Sequence, residues 1–246
     1  MANDKVYIHE FVDIIGQNRD RYMHHMTANW CPIARQERNQ LCFGVWATVG
    51  STGSWPEVVN LWELDGWDGL AANFAHEFSG GATQDPSLAE WWSAAAGLRR
   101  GGRDRIVVPA RWSPTIEELT ERGVRGEVYA HEVVDIAFGT TGDYLEAVRE
   151  CAMEAYEEFG LALVGAWTTA MSTDREAILI WAIPSWTDWA EFEQASMDRD
   201  RLVDWKDAVR PFGAVADRTL LVDAPLAPLR TGRQPRVVDR VPLADL

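Results

Sequence analysis

The sequence has few basic residues, few cysteines and no long apolar run, and each shortage excludes a class of protein. The 23 Lys and Arg residues face 38 Asp and Glu residues, which gives a net charge of −15 over 246 residues. A chain this acidic is not expected to present the basic surface that binds nucleic acid or anionic lipid. We therefore predict neither nucleic acid nor a membrane as a partner.

The three cysteines, Cys31, Cys42 and Cys151, have no CxxC spacing and are odd in number. This pattern favours a reduced protein over a disulfide scaffold, and no group of Cys and His residues has the spacing of a zinc site. No apolar run reaches the roughly 18 residues that span a bilayer. Residues 1–5 lack the basic-then-apolar order of a signal peptide, so we expect a cytoplasmic protein without a metal site.

A stretch near the N-terminus occurs twice. Val6–Ile14 reads VYIHEFVDI, and Val128–Ile136, which begins 122 residues later, reads VYAHEVVDI. Further matches follow in the same order, pairing Gly44 and Trp46 with Gly165 and Trp167, Trp62 and Trp67 with Trp181 and Trp186, and Trp92 and Asp104-Arg105 with Trp205 and Asp217-Arg218. Collinear self-similarity is the signature of a duplicated unit. We predict two tandem copies of one unit.

Hydrophobic periodicity predicts the same order of elements in both units. Period-two alternation predicts strands over 5–14, 41–49, 57–64 and 104–110, and again over 127–136, 161–171, 175–183 and 215–222. Three- and four-residue spacing predicts helices over 18–38, 67–78, 87–98, 141–159, 186–199 and 201–209, and Pro32 should kink the first helix or end it early. The order β-α-β-β-α-β is the ferredoxin-like arrangement.

We therefore predict an α+β fold with two ferredoxin-like units, at residues 1–113 and 127–223. A connector at 114–126 joins them, and an extended tail follows at 224–246. A four-stranded sheet with helices on one side leaves its other face bare, and that face must be covered. Two units in one chain cover it by closing sheet against sheet. The result is an intramolecular barrel, which is filled by side chains or holds one small ligand.

The middle of the first unit resembles a known family. Val49-Gly50, the strand at Glu57–Leu64 and the helix start at Trp67–Leu70 are similar to the NIPSNAP signature, as is Asp85-Pro86 before Trp91-Trp92. The resemblance implies the dimeric α+β barrel superfamily, here with both halves in one chain. That superfamily includes haem-degrading and cofactor-free monooxygenases, polyketide cyclases, muconolactone-type isomerases and haem dehydratases. Fold analogy alone therefore does not select a reaction.

Histidines are the candidate catalytic residues. Alternation places His9 and His131 on the strand face that lines the barrel, beside Tyr7 and Tyr129. A histidine in an apolar enclosure transfers protons because its pKa moves readily through neutrality. A structural alternative stays open, in which the two equivalent histidines hydrogen-bond across the barrel. His76 occurs in the first unit alone, where an active site would break the repeat, and we predict it as a third catalytic residue.

Tryptophan is unusually frequent, with 13 residues, and four of them occupy repeated strand positions: Trp46, Trp62, Trp167 and Trp181. Facing inward they would stack on a planar ligand, and the alternative is core packing. Asn60 shares a strand face with Trp62 and is suited to hold a carbonyl or enolate oxygen. We predict these five side chains, with Tyr7 and Tyr129, as the substrate-binding residues.

Two carboxylates are notable for their position. Alternation puts Glu10 and Glu132 on the helix-facing side of the first strand of each unit. A carboxylate on that side is costly unless it is paired. The opposite assignment therefore stays open, in which Glu10 and Glu132 face the barrel interior and the histidines face the helices.

Together these features predict a small-molecule enzyme that works without a cofactor in an aromatic-lined barrel pocket. We expect acid and base chemistry on a hydrophobic carbonyl or phenolic substrate, as in a cyclase, isomerase, lyase or cofactor-free monooxygenase. One alternative is a binding protein for haem or another flat hydrophobic ligand without turnover. Another is a scaffold whose barrel is filled by its tryptophans. A monomer and a homodimer are both compatible with a barrel closed within one chain.

Overall fold

The computed structural model describes residues 2–81, 83–198 and 202–242. It shows a mixed α+β fold built on eight strands. They are β1 Val6–Ile14, β2 Gln40–Thr48, β3 Glu57–Leu64, β4 Arg99–Pro109, β5 Val128–Asp135, β6 Ala162–Thr169, β7 Glu176–Ile183 and β8 Val215–Asp223. Antiparallel pairing closes them into a barrel in the order β1-β3-β2-β8-β5-β7-β6-β4. The predicted fold class is confirmed.

Most of the helices cover the outside of the barrel. Two of them contain a π-helical segment: α1 consists of Arg19–His24, the π-helical His25–Trp30 and Cys31–Glu37, and α5 consists of Thr141–Ala147, the π-helical Val148–Ala152 and Met153–Glu157. The others are α2 Gly66–Glu77, α3 Ala89–Ala96, α4 Ile116–Glu121, α6 Trp186–Met197, α7 Val203–Val209 and α8 Pro228–Thr231. Short 3-10 segments lie at Ser79–Gly81, Pro86–Leu88, Arg210–Phe212 and Val237–Asp239. Pro32 is the second residue of the last segment of α1, and a wide π-helical turn precedes that segment, where the sequence predicts a kink or an early end. Across the described residues, no helix combines the length and the apolar character needed to cross a membrane.

Each half contributes four strands, and the halves meet at two short seams. In the first half β1 pairs with β3 and β4, and β2 pairs with β3. In the second half β5 pairs with β7 and β8, and β6 pairs with β7. The β2–β8 seam has three residue pairs, Trp46↔Asp223 to Thr48↔Leu221. The β4–β6 seam also has three, Val107↔Thr169 to Pro109↔Trp167. Both halves have the β-α-β-β-α-β order, while the duplication itself stays a prediction.

Aromatic and branched side chains fill the inside of the barrel. Tyr7, Trp46, Tyr129 and Trp167 are fully buried there, packed with branched side chains of β3, β6 and β7. Ile116 and Leu119 of α4 and Leu229 of α8 belong to the same cluster, so these two helices close one end. Two further cores lie between each half of the sheet and its own helices. Both faces of the sheet are therefore covered, the inner face by the opposite strands and the outer face by helices.

Strand β4 begins five residues before its predicted start at 104, at Arg99. The preceding residues, Arg99 to Arg103, are poor strand formers because they include two glycines. The geometry requires Gly102, since a Cβ atom there would lie 2.1 Å from the carbonyl oxygen of Phe11. The close approach of β1 therefore extends β4 where propensity does not.

The strand register corrects one match between the two halves. Glu10 lies opposite Asp104, whereas Glu132 lies opposite Arg218. Arg218 is therefore the structural equivalent of Asp104 and not of Arg105. A shift of one residue moves a side chain to the other face of a sheet. Arg105 consequently shares the inward face of His9, its partner on β1.

The tail packs on the body of the protein. Gln234 binds both backbone polar groups of Cys42, accepting from its N–H at 3.0 Å and donating to its carbonyl at 2.7 Å. Arg240 donates to the carbonyl of Ala28 at 3.3 Å, and Val241 donates its N–H to His24 at 3.1 Å. The tail contains α8 and a 3-10 turn, so over 224–242 it is more ordered than an extended segment. Residues 243–246 lie outside the described part.

Candidate functional site

The two histidines predicted as catalytic form a pair inside the barrel. The Nε2 atoms of His9 and His131 lie 2.9 Å apart, and both side chains are buried. Burial lowers the pKa of both rings, to about 3 for His131, so both are neutral near pH 7. One ring donates and the other accepts. This is the geometry of the structural alternative, and it places neither ring against the cavity described below.

The predicted substrate-binding tyrosines are fixed at one end of the barrel. Tyr7 donates to Glu63 Oε2 at 2.9 Å, and Tyr129 donates to Asp223 Oδ2 at 2.6 Å. Burial raises the pKa of both phenols, so they stay protonated. With Trp46 and Trp167 they occupy the interior in which the sequence predicts a ligand. The expectation of an interior pocket is corrected, because these large side chains take up the space.

The other predicted binding residues face the helices. Trp62 belongs to the core beneath α1, and Trp181 to the core beneath α5 and α6. In the second half the ring of Tyr156 packs 4.7 Å from Trp181. Asn60 is buried on the same side as Trp62 and donates to the hydroxyl of Tyr22 at 2.9 Å. Trp62, Trp181 and Asn60 therefore do not line the barrel, which corrects that expectation.

His76 lies on the outer side of α2. Its side chain is 53% exposed and its Nε2 is 3.2 Å from Asp85 Oδ2. Arg38 binds the same carboxylate at 2.6 Å and Glu77 at 3.0 Å. These contacts tie the segment before α3 to α1 and α2. His76 is not among the cavity-lining residues that the structure describes.

A cavity of about 820 Å³ lies between the first half of the sheet and helices α1 to α3, and at one end it reaches Arg105 on the inward face of β4. Its walls are largely aromatic, with Trp30, Trp62, Phe74, Phe78, Trp91 and Trp92. Polar side chains of β1 and β4 line its base, namely Glu10, Arg99, Arg103, Asp104 and Arg105. The turn between β6 and β7, residues 169–176, borders the far end. The aromatic walls agree with the prediction, but they lie on the helix side of the sheet and not inside the barrel.

A difference between α2 and α6 at one equivalent position accounts for the cavity between helices and sheet in the first half and for the filled space at the same place in the second. Phe192 of α6 is buried and packs 4.6 Å from the ring of Tyr156. It follows Trp186 by six residues, and the residue six after Trp67 is Asn73, on α2. Asn73 lines the cavity. A short polar side chain in place of a phenyl ring leaves the space between helix and sheet empty.

Glu10 is a cavity-lining carboxyl group whose position is fixed by hydrogen bonds and whose pKa is shifted. Its Oε2 accepts from Trp62 Nε1 and from Asn60 Nδ2, each at 2.8 Å. No described residue donates to its Oε1, which leaves this oxygen available to a ligand. Burial raises the pKa of Glu10 and the neighbouring Asp104 raises it further, against the two donors and Arg99. A carboxyl whose pKa is raised in this way, and whose position is fixed by hydrogen bonds, is a candidate acid and base.

The equivalent carboxylate of the second half has a different environment. Glu132 forms an ion pair with Arg218 at 2.7 Å, and Arg218 also binds Glu193 at 2.8 Å. Leu179 takes the position opposite Glu132 that Asn60 takes opposite Glu10. Glu132 is thus neutralised and enclosed. Of these two equivalent carboxylates, Glu10 lines the cavity and has no ion pair with a described residue. Both lie on the helix-facing side of the sheet, as predicted.

The cavity lining does not fit a haem iron. Such an iron takes a His, Cys, Met or Tyr ligand, and the described lining residues include no His, Cys or Tyr. His25 stacks on Trp91 with ring centres 4.8 Å apart and directs Nε2 to the Trp91 carbonyl at 3.3 Å. Met26 and Met171 are present, but no histidine is among the described lining residues to serve as a second ligand. In the described residues no group of three or more His, Cys, Asp and Glu is arranged to hold a metal ion.

Comparison with solved structures identifies the fold. A monooxygenase candidate from Lactobacillus acidophilus NCFM aligns over 90% of this chain and 97% of its own, at 8% identity and a TM-score of 0.54. An anthrone oxidase-like protein aligns over 90% and 94%, at 11% identity and a TM-score of 0.52. The fold is that of the dimeric α+β barrel proteins.

A NIPSNAP-like domain protein from Burkholderia xenovorans covers 46% of this chain and 90% of its own, at 18% identity. Its TM-score of 0.36 is too low to carry an argument. The sequence matches no protein-family model and no curated protein. At these identities similarity establishes a dimeric α+β barrel and no activity.

The sequence indicates that a carboxylate at Glu10 is costly to bury, but it does not indicate that Glu10 belongs to the site. Arg99 and Asp104 are not predicted as site residues. Asp104 reaches Glu10 through the pairing of β1 with β4, across 94 residues. Arg99 stacks on Trp92, with its Cζ atom 5.5 Å from the ring centre. The signal available in the sequence was the replacement of Asn60 in the first half by Leu179 in the second, whereas the replacement of Asp104 by Arg218 is visible only in the strand register.

Proposed function

We propose that this protein is a cofactor-independent enzyme that transfers protons to and from a flat hydrophobic carbonyl or phenolic compound in the outer cavity, with Glu10 as the acid and base. The observation that carries the proposal is the Glu10 carboxyl. Burial and Asp104 raise its pKa, two donors fix one of its oxygens, and the other oxygen stays open at an aromatic cavity. An enzyme needs a base with this combination of fixed geometry and tuned pKa.

The reaction step follows from the positions of these groups. The aromatic walls, including Trp62 and Trp92, bind the flat face of the substrate. Glu10 Oε1 takes a proton from the carbon next to a carbonyl, so the C–H bond breaks and an O–H bond forms on Glu10. The electron pair moves to the carbonyl oxygen. The guanidinium of Arg99, on the same cavity wall, stabilises the resulting enolate. Return of the proton to a different carbon completes an isomerisation. In a cyclisation the enolate carbon instead attacks a second carbonyl carbon of the substrate, and Glu10 returns the proton to the alkoxide that forms there.

The test uses 2-tetralone in D₂O, with exchange of its α-protons followed by NMR. The wild type should accelerate exchange over buffer, and Glu10→Gln should lower the rate by about 100-fold or more, the contribution expected of a general base. His76→Ala separates this proposal from the sequence-based one. Full exchange in Glu10→Gln together with loss in His76→Ala would refute the role of Glu10.

A second candidate is a binding protein for a flat hydrophobic ligand without turnover. The four tryptophans of the cavity wall favour it, because stacking surfaces serve retention as well as catalysis. Binding of 2-tetralone without exchange, and with equal affinity in wild type and Glu10→Gln, would favour this function. The residues quoted for the NIPSNAP signature support membership in that family as part of the same proposal.

A further inference from the structure

The cavity contains a second polar feature, at the seam where the β6–β7 turn approaches β4. The side chain of Arg105 is 8% exposed and lines the cavity. Its Cζ atom lies 5.3 Å from the ring centre of Phe11. Neither Nε nor Nη1 makes a hydrogen bond to a described residue. A buried guanidinium with unused donors is costly, because its solvation is lost without full replacement.

Glu176 compensates this charge in part. Its Oε1 forms an ion pair with Arg105 Nε at 3.0 Å, which leaves Nη1 without a partner among the described residues. The same oxygen accepts from Thr169 Oγ1 at 2.6 Å. The neighbouring Arg175 is already engaged, because Asp135 binds it through two hydrogen bonds of 2.9 and 2.8 Å. At this end of the cavity Arg105 is therefore a buried cation with N–H groups available to a ligand. Burial lowers the pKa of its guanidinium, which stays protonated at pH 7 as arginine does in proteins.

We propose that the substrate of this cavity is an aromatic carboxylic acid, whose carboxylate binds the guanidinium of Arg105 while its ring system lies between the tryptophans at the Glu10 end. The inference rests on the proposed function and narrows its substrate class. A carboxylate is favoured because its two oxygens match the planar donors of a guanidinium. The aromatic and cationic ends belong to one continuous cavity, so one molecule can reach both.

The test compares two probes of nearly the same shape, 2-naphthoic acid, which carries a negative charge, and 2-naphthamide, which is neutral, by isothermal titration at pH 7.5. Wild type should bind the acid about ten- to hundredfold more tightly, the range expected for a charge-assisted hydrogen bond. Arg105→Met should remove that preference and leave amide binding unchanged. The double variant Arg105→Met/Glu176→Gln removes both charges and provides the same readout if the single variant does not fold. Arg210→Met, which removes an exposed arginine, should keep the preference.

Equal affinity for acid and amide in the wild type would overturn the proposal, and so would an unchanged preference in the double variant. These outcomes differ from failure of the proposed function. 2-Tetralone carries no carboxylate, so its exchange reports on Glu10 whatever Arg105 binds. A wild type that exchanges 2-tetralone protons but does not prefer the acid would reject the substrate class alone.

Discussion

The imidazole rings of His9 and His131 lie nearly parallel inside the barrel, with planes 9° apart and Nε2 atoms 2.9 Å apart. Such a bond exists while at least one ring is neutral and accepts. Protonation of both rings would place two N–H groups against each other in a buried site. The pair therefore links the two halves of the protein in a pH-dependent way.

We expect the protein to lose stability as the pH falls below about 6.5. The pKa of both histidines is lowered from 6.5 by burial, so the unfolded chain binds protons first. Stability is complete above the unfolded pKa and declines toward the folded pKa, at about 2 kcal/mol per histidine between pH 6.5 and 5. Urea unfolding across this range measures it. The decline should be smaller in His9→Gln/His131→Gln and unchanged in His24→Gln.

The equivalent carboxylates should respond in opposite directions to the same substitution. Glu10→Gln should raise the free energy of unfolding at pH 8 by about 1 kcal/mol, as is common when an active-site strain is removed. The folded pKa of Glu10 is raised above 4.5, so its charged form destabilises the fold above that pKa. The gain should vanish as the pH falls below 4.5.

Glu132→Gln should instead destabilise the protein by about 3 kcal/mol at pH 8, because it leaves Arg218 without its partner at 2.7 Å. Thermal unfolding of the two variants under identical conditions measures both effects. Equal shifts of the same sign would contradict the different environments described for the two halves.

The sequence was sufficient for the fold because the relevant signals are local and repeated. Alternation in β1 and β5 placed His9 inside and Glu10 outside, as observed. The repeated Gly-x-Trp also has a physical reason. A Cβ atom on Gly44 would lie 1.9 Å from the indole of Trp46, and one on Gly165 would lie 2.1 Å from that of Trp167. Each glycine makes room for the ring two residues later.

The site could not be predicted in the same way, since it depends on volumes and on strand register. Whether the barrel or the outer layer is hollow depends on the summed size of side chains such as Trp167 and Phe192, which periodicity does not reveal. Asp104 reaches Glu10 only in the observed register, one residue away from the match read in the sequence. The sequence match pairs Arg105 with Arg218, whereas the register places Asp104 at the position of Arg218.

Filling the first half as the second half is filled should abolish ligand binding. Asn73→Phe introduces on α2 the ring that Phe192 provides on α6, and it projects into the cavity that Asn73 lines. We expect binding of 2-naphthamide to weaken at least tenfold while the melting temperature stays the same or rises, since the new ring occupies empty space. Ala72→Phe places an equal ring on the exposed side of α2 as the control. Unchanged binding in Asn73→Phe would show that the ligand lies elsewhere.

The tail should be an integral part of the fold, because α8 closes one end of the barrel. Leu229 is 3% exposed and belongs to the interior cluster, whereas Val238 of the same tail is 85% exposed. Leu229→Ala should lower the free energy of unfolding by about 3 kcal/mol, the cost of a buried leucine. Val238→Ala should change it by less than about 0.5 kcal/mol. Urea unfolding distinguishes this from a loosely attached tail, in which both variants would resemble the wild type.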